Sequence, residues 1–326
     1  MIDVILYNKD YNNIIDLPFV AKTILNNKNS NIIFWAPDEI DTWQRIKAYK
    51  DKINKLCASA DSTIEFWEGN QLPYKTYKQD RITVINWQNF CVHYTLGKYK
   101  IKNEHNKTPQ IQNLFVSLNR SSVLHKCVFI DLLAKYNCID NNLVTWHDIN
   151  NNNYNFKHFD NQKLILDDIS SGVEIVNYPD YYHNAFLDLV CESFDNFPDI
   201  SEKTYKAIAA KKPFITIGYK GLYAELQNLG FKLYHELFDY KFDNLVSFQD
   251  RAENVIKQVK NLQNQNLNTL KKQIEQKLEY NYNVLLNLAK TADKQIIDFA
   301  NKHTVPHYSD ILDYVKRDRH HHNFVL

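Results

Sequence analysis

The sequence predicts an α/β protein made of two parallel-sheet halves followed by a helical tail. Three observations carry that expectation. Short runs rich in Ile, Val and Phe recur along the chain, stretches with helical spacing lie between them, and from about Phe248 to Lys302 the helical period continues without a strand.

Taken in order, Val4-Ile-Leu-Tyr7, Asn31-Ile-Ile-Phe-Trp35, Thr63-Ile-Glu-Phe-Trp67 and Arg81-Ile-Thr-Val-Ile85 read as four strands. A helix from about Glu39 to Ala58 places Ile46, Ile53 and Leu56 on one side. These elements make a Rossmann-like first half. The polar, aperiodic stretch from about Lys98 to Gln112 marks a boundary, so domains are expected over 1–105 and 106–250. The second half opens with Leu114-Phe-Val-Ser-Leu118 and a helix from about Val123 to Lys135. Strands follow near Leu143–Trp146, Phe186–Val190, Phe214–Ile217 and Phe231–Tyr234, while Asn150–Asn161 has no period and reads as a loop. Val255, Ile256, Val259, Leu262, Leu270 and Ile274 give the tail an apolar stripe, and a short helix is expected near Ile311–Val315. The tail, 251–326, is expected to brace the two domains.

Composition narrows the functional classes. With 44% hydrophobic and 24% charged residues, a chain of 326 residues suits a globular protein of two domains, each with its own core. A net charge of +1 argues against a strongly basic nucleic-acid surface, and the clusters Lys98–Lys102 and Val315–Arg319 are the only hints of a basic groove. Neither a Gly-x-Gly-x-x-Gly loop nor a Gly-Lys-Ser/Thr loop is present, so phosphate needs another cradle. Cys57, Cys91, Cys127, Cys138 and Cys191 form no Cys-x-x-Cys pair and read as reduced thiols of a cytoplasmic protein. No metal site is expected, the His320-His-His322 cluster being read as a basic terminus. The N-terminus lacks the regions of a signal peptide, and no apolar run approaches the ~20 residues that span a bilayer.

The stretch from Asp199 to Gly218 carries the strongest functional signal. Asp199 as N-cap and Glu202 three residues later predict a capping box and a helix from Ile200. The free N–H groups of its first turn attract anions, and Lys203 and Lys206, three apart, add positive charge on one face. Pro213 stops the helix, and Phe214-Ile-Thr-Ile217 reads as a buried strand ending at Gly218. The segment is either a phosphate cradle or a surface helix with solvated lysines.

Two places resemble a known family. Phe115-Val-Ser-Leu-Asn119-Arg120, with His125-Lys126 in the helix that follows, resembles the opening of the C-terminal domain in glycosyltransferase-like proteins of phages and large viruses. Glu192-Ser-Phe, Ile200-Ser-Glu-Lys203, Lys206, Lys212-Pro-Phe214 and Gly230-Phe231 resemble that group and also the Thr-Glu-Lys region of fucosyltransferases, Ser201 standing for the Thr. The likeness spans roughly residues 113 to 250. It implies a GT-B architecture, with two Rossmann-like domains facing across a cleft. It also implies transfer of a sugar from a nucleotide-diphosphate donor.

By that resemblance Glu202 meets the donor ribose, Lys203 a phosphate, and Arg120 or Lys126 the diphosphate from the other side. Asn119, Glu192 and Ser201 complete the donor set, and Lys206 joins it from helical spacing. The chain has no Asp-x-Asp, so fixed cations are expected to stabilise the departing diphosphate without a metal, and no cofactor is implied beyond the donor. Glu192 and Glu202 lie ten apart, a spacing that leaves the stereochemical outcome open.

The general base is expected at the carboxyl ends of the first half's strands, where Asp38 and Glu68 fall. His93 and His147 are further candidates. Trp35, Trp67 and Trp87 either stack on a ligand or pack in the core. The acceptor is left open by the sequence, a glycan or a modified base of viral DNA being two alternatives. The rival from another class is a non-catalytic nucleotide- or partner-binding module on the same fold.

Overall fold

Ile64, Phe66 and Ile82 are buried beside more exposed neighbours, while Ile32, Ile33 and Phe34 are buried in succession, as a strand covered on both faces requires. They belong to the first of two sheets in a computed structural model that describes residues 2–7, 17–36, 47–68, 77–86, 111–147, 154–166, 180–196 and 200–302. The chain divides into two units, Met1–Tyr94 with Asn287–Leu326, and Thr95–Leu286.

The first unit contains β1 (Ile2–Tyr7), α1 (Leu17–Asn26), β2 (Ser30–Ala36), α2 (Lys50–Ser59), β3 (Thr63–Glu68), β4 (Tyr77–Gln79) and β5 (Ile82–Asn86). The sheet order is β1-β2-β3-β5-β4, parallel throughout except that β4 runs antiparallel to β5. Phe34 and Phe66 stack at 5.2 Å between ring centroids, and Val20 and Ile24 of α1 join Ile53 and Cys57 of α2 in the same core. The expected strands are all present. Of the expected helix over 39–58, a 3-10 turn at Lys47–Tyr49 leads into α2 within the described residues. The polar hairpin strand β4 and the helix α1 were not visible as patterns.

The second unit follows with β6 (Asn113–Asn119), α3 (Leu124–Lys135), β7 (Leu143–Trp146), α4 (Asp180–Asn184), β8 (Ala185–Cys191), α5 (Glu202–Ala209), β9 (Phe214–Ile217), α6 (Leu222–Asn228) and α7 (Phe248–Asn261). Its last helix, α8 (Leu267–Lys302), continues into the first unit from Asn287. The four strands are parallel in the order β7-β6-β8-β9. Every residue of β8 is buried, so helices and loops cover both of its faces. From β6 the chain steps to β7 on one side, then returns to β8 and β9 on the other. A topological switch point therefore lies between the carboxyl ends of β6 and β8, where open α/β sheets bind ligands.

Three expectations are corrected. Residues 231–234 form no strand. The side-chain amide of Asn281 in α8 takes the place of a neighbouring strand: it accepts from Lys232 N–H at 2.8 Å and donates to Lys232 O at 2.9 Å. Next, α5 begins at Glu202, not Ile200, with Ser201 as its N-cap, its Oγ accepting from Lys203 N–H; Asp199, the expected cap, lies outside the described residues. Phe248–Lys302 is two helices, because the chain breaks in a 3-10 turn at Leu262–Asn264 and restarts where Asn266 Oδ1 accepts from Thr269 N–H. The described part of the expected loop, residues 154–161, is a loop, and it is pinned in place. Asp131 of α3 accepts from the N–H groups of Lys157, His158 and Phe159 and from Tyr154 Oη, and Trp146 exchanges two backbone bonds with Leu164. The short helix near 311–315 lies outside the described residues. Among the described residues no helix is long and apolar enough to cross a membrane.

Candidate functional site

Two strand ends and two helix starts meet at the switch point of the second sheet. Asn119 ends β6, buried. Its N–H donates to Thr145 Oγ1 of β7 at 2.8 Å and its Nδ2 to Ser117 O and Oγ, while no described donor reaches its Oδ1. Arg120, the next residue, is exposed. The chain then enters α3 at Val123, which offers no side-chain cap, so the first turn keeps its N–H groups uncapped by a side chain.

Lys126 lies in that first turn and is only 3% exposed. No described side chain or carbonyl hydrogen-bonds its Nζ or forms an ion pair with it. Burial lowers its pKa and the charge of Lys203 lowers it further, against the opposing pull of Cys191, Glu192 and Glu202. Lys126 and Lys203 thus repel one another across the crevice.

The other wall is built around Glu192, the residue after β8. Its fully buried carboxylate accepts from Ser193 N–H at 3.3 Å, Ser201 N–H at 3.3 Å and Thr204 Oγ1 at 2.5 Å, and from Ser201 Oγ. Those bonds fold the β8–α5 loop back on itself and fix the start of α5. Lys203, in the first turn, donates from Nζ to Glu202 Oε1 at 2.8 Å, to Ser193 Oγ at 3.0 Å and to Ser201 Oγ at 3.4 Å. Burial works to raise the Glu202 pKa, but the charge and hydrogen bond of Lys203 and a backbone N–H outweigh it and the net shift is downward. Glu202 is therefore ionised at neutral pH.

A second layer holds the two walls together. His125, beside Lys126, donates from Nε2 to Glu192 O at 3.0 Å. Its Nδ1 lies 3.7 Å from Asp195 Oδ1, and burial lowers its pKa. Gly218 closes β9 against this carboxylate: an added Cβ would lie 2.8 Å from Leu222 Cδ1 and 3.2 Å from Glu192 Cβ. Arg251 of α7, 2% exposed, spends its guanidinium on the carbonyls of Gly218, Leu245, Val246 and Asp195, tying three loops at the carboxyl edge.

The structure thus brings together Lys126, Glu192, Ser201, Glu202 and Lys203, with Asn119 and Arg120 at the same sheet edge. Lys206 departs from expectation. Its Nζ is 3.7 Å from Asp188 Oδ2 and 4.9 Å from the Tyr182 ring centroid, a buried position among β8 and α4 rather than beside Lys203. Its charge still helps to lower the Glu202 pKa, but its ammonium is engaged by Asp188. Glu68 ends β3 in the first unit, where Trp35 and Trp67 also lie in the strands. Asp38, His93 and Trp87 lie outside the described residues, and His147 follows β7, half-buried.

Ser193, Thr204, His125 and Arg251 carried no sequence signal for their roles, since each acts through a partner distant in the chain. Among the described residues no group of His, Cys, Asp and Glu is placed to hold a metal ion. Comparison with protein-family models, curated proteins and solved structures finds no match to this chain.

Proposed function

We propose that this protein is a glycosyltransferase that takes a sugar from a nucleotide-diphosphate donor, with the diphosphate seated between the starts of α3 and α5. One observation carries the reading: Lys126 is buried at a helix start with no described counter-ion in contact, and the charge of Lys203 acts on it. Burying an unpaired ammonium near a second cation is costly, and an anion bound at Lys126 removes that cost. Loss of the diphosphate from the sugar builds negative charge on its oxygens, which in this reading Lys126, Lys203 and the first-turn N–H groups of α3 stabilise. In this reading those fixed cations do the work of a divalent metal.

Glu202 accepts from the donor ribose, and Arg120 reaches the outer phosphate. The first unit supplies the acceptor side in a GT-B arrangement, with Asp38 and Glu68 as candidates for the base that deprotonates the acceptor hydroxyl of a glycan or modified base. The described cysteines, Cys57, Cys127, Cys138 and Cys191, are free and buried, in keeping with a cytoplasmic enzyme.

The test is a screen of UDP-, GDP-, ADP- and dTDP-sugars for thermal stabilisation, followed by donor hydrolysis. At least one donor is expected to raise the Tm, and Lys126→Met and Lys203→Ala to abolish the rise. If no nucleotide shifts the Tm, or both variants respond like the parent, the donor-site reading is wrong.

A further inference from the structure

Lys203 already has an anion. Its ammonium lies 2.8 Å from Glu202 Oε1, and the two side chains are only 26% and 23% exposed, which shields the pair from solvent. Any anion arriving at Lys203 meets a charged carboxylate at contact distance. Glu192 presents no such obstacle, because its oxygens are engaged by four donors, from Ser193, from Ser201 twice, and from Thr204 of α5. Glu202, at the first position of α5, uses one oxygen on a flexible lysine and stands partly in the open.

Resting on the donor-site reading above, we propose that Glu202 determines specificity by competing internally for Lys203, excluding bare polyphosphates and yielding to a phosphoester that brings hydroxyl groups. When a phosphate takes Lys203, the released carboxylate needs new donors. It stays at the positive end of α5, where the helix favours negative charge, but inorganic pyrophosphate offers it only repulsion. A nucleoside diphosphate carries a cis-diol, whose two O–H groups replace the ammonium. The selectivity arises from an exchange of partners: Lys203 passes from Glu202 to phosphate as Glu202 passes from Lys203 to the diol. No covalent bond changes.

Calorimetric titration of the full chain with three ligands tests this: inorganic pyrophosphate, a nucleoside diphosphate, and the same nucleotide without its 2′ and 3′ hydroxyls. The parent is expected to prefer the intact nucleotide. Glu202→Gln, which keeps the shape and removes the charge, is expected to bind pyrophosphate about tenfold more tightly and to lose the preference for the intact nucleotide over its dideoxy form. Unchanged or weaker pyrophosphate binding by Glu202→Gln overturns the proposal. If that happens while Lys126→Met still abolishes nucleotide binding, the donor site stands and only the competition is wrong. If Lys126→Met and Lys203→Ala leave nucleotide binding unchanged, or the parent binds none of the three ligands, both readings fall.

Discussion

A lysine drawn into the fold without an ion-pair partner lowers the stability of the fold that holds it. Lys126, a residue only 3% exposed and pushed toward deprotonation first by burial and then by Lys203, has no such partner among the described residues. Lys126→Met keeps the length and apolar stem of the side chain and removes the charge. The variant is expected to be more stable than the parent by about 1–3 kcal/mol in urea unfolding without ligand, and to lose stabilisation by nucleoside diphosphates. A loss of stability instead would make Lys126 a structural lysine and remove the main support for the anion site. The sequence showed where this lysine stands in its helix but not that it is buried. The charges that act on it, Lys203, Glu192 and Glu202, stand more than sixty residues downstream.

The amino ends of the same strands hold a second set of lysines. Lys212, just before β9, is 6% exposed and donates from Nζ to Ala185 O. Lys206 and Lys212 each lie 4.9 Å from the Tyr182 ring centroid, and Asp188, bonded to Tyr182 Oη at 2.6 Å, is the nearby carboxylate. Burial lowers the Lys212 pKa from 10.5 to about 7, Asp188 opposes the shift, and Lys271 and Lys206 reinforce it. A lysine whose folded pKa lies below its unfolded value costs stability fully at pH below the folded value, and the cost fades as pH rises toward the unfolded one. Stability of the parent is therefore expected to rise between about pH 7 and pH 10 relative to Lys212→Met, by at most about 5 kcal/mol. Parallel urea titrations of both proteins across that range check it, and a difference that stays flat with pH would show that Lys212 remains charged in the fold. At this scale the strands were the legible part, because the buried parallel runs at 113–119, 185–191 and 214–217 leave an apolar signature. Residues 231–234 carry the same signature and form no strand, since side chains of Asn281, Lys277 and Tyr240 bond their backbone in place of a neighbouring strand. Apolar composition reports burial, and burial alone does not specify what satisfies the backbone.

At the scale of the molecule, the two sheets differ in a way that bears on function. The first runs β1-β2-β3-β5 in one direction, so its described strands contain no switch point, whereas the second reverses between β6 and β8. The alternation of strands and helices was readable, but strand order was not, because it depends on which side of β6 each crossover returns. That order is what separates a crevice from a row of strand ends. Lys126, Glu192, Ser201, Glu202 and Lys203, together with the supporting His125, Gly218 and Arg251, all belong to Thr95–Leu286. The same unit has its own core, with Phe115, Leu187, Ile215, Val255 and Ile274 all fully buried. A fragment of Thr95–Leu286 is therefore expected to unfold in one cooperative urea transition and to bind a nucleoside diphosphate within about threefold of the full chain. Under the proposed mechanism it should not transfer sugar, since Asp38 and Glu68 are missing. Binding and turnover would then separate along the chain: titration calorimetry on the fragment reads the first, and product formation by fragment and full chain reads the second. A fragment that folds but does not bind would place essential contacts in the first unit. A fragment that transfers sugar would move the catalytic base into the second, where His147 follows β7 at the same sheet edge as Asn119.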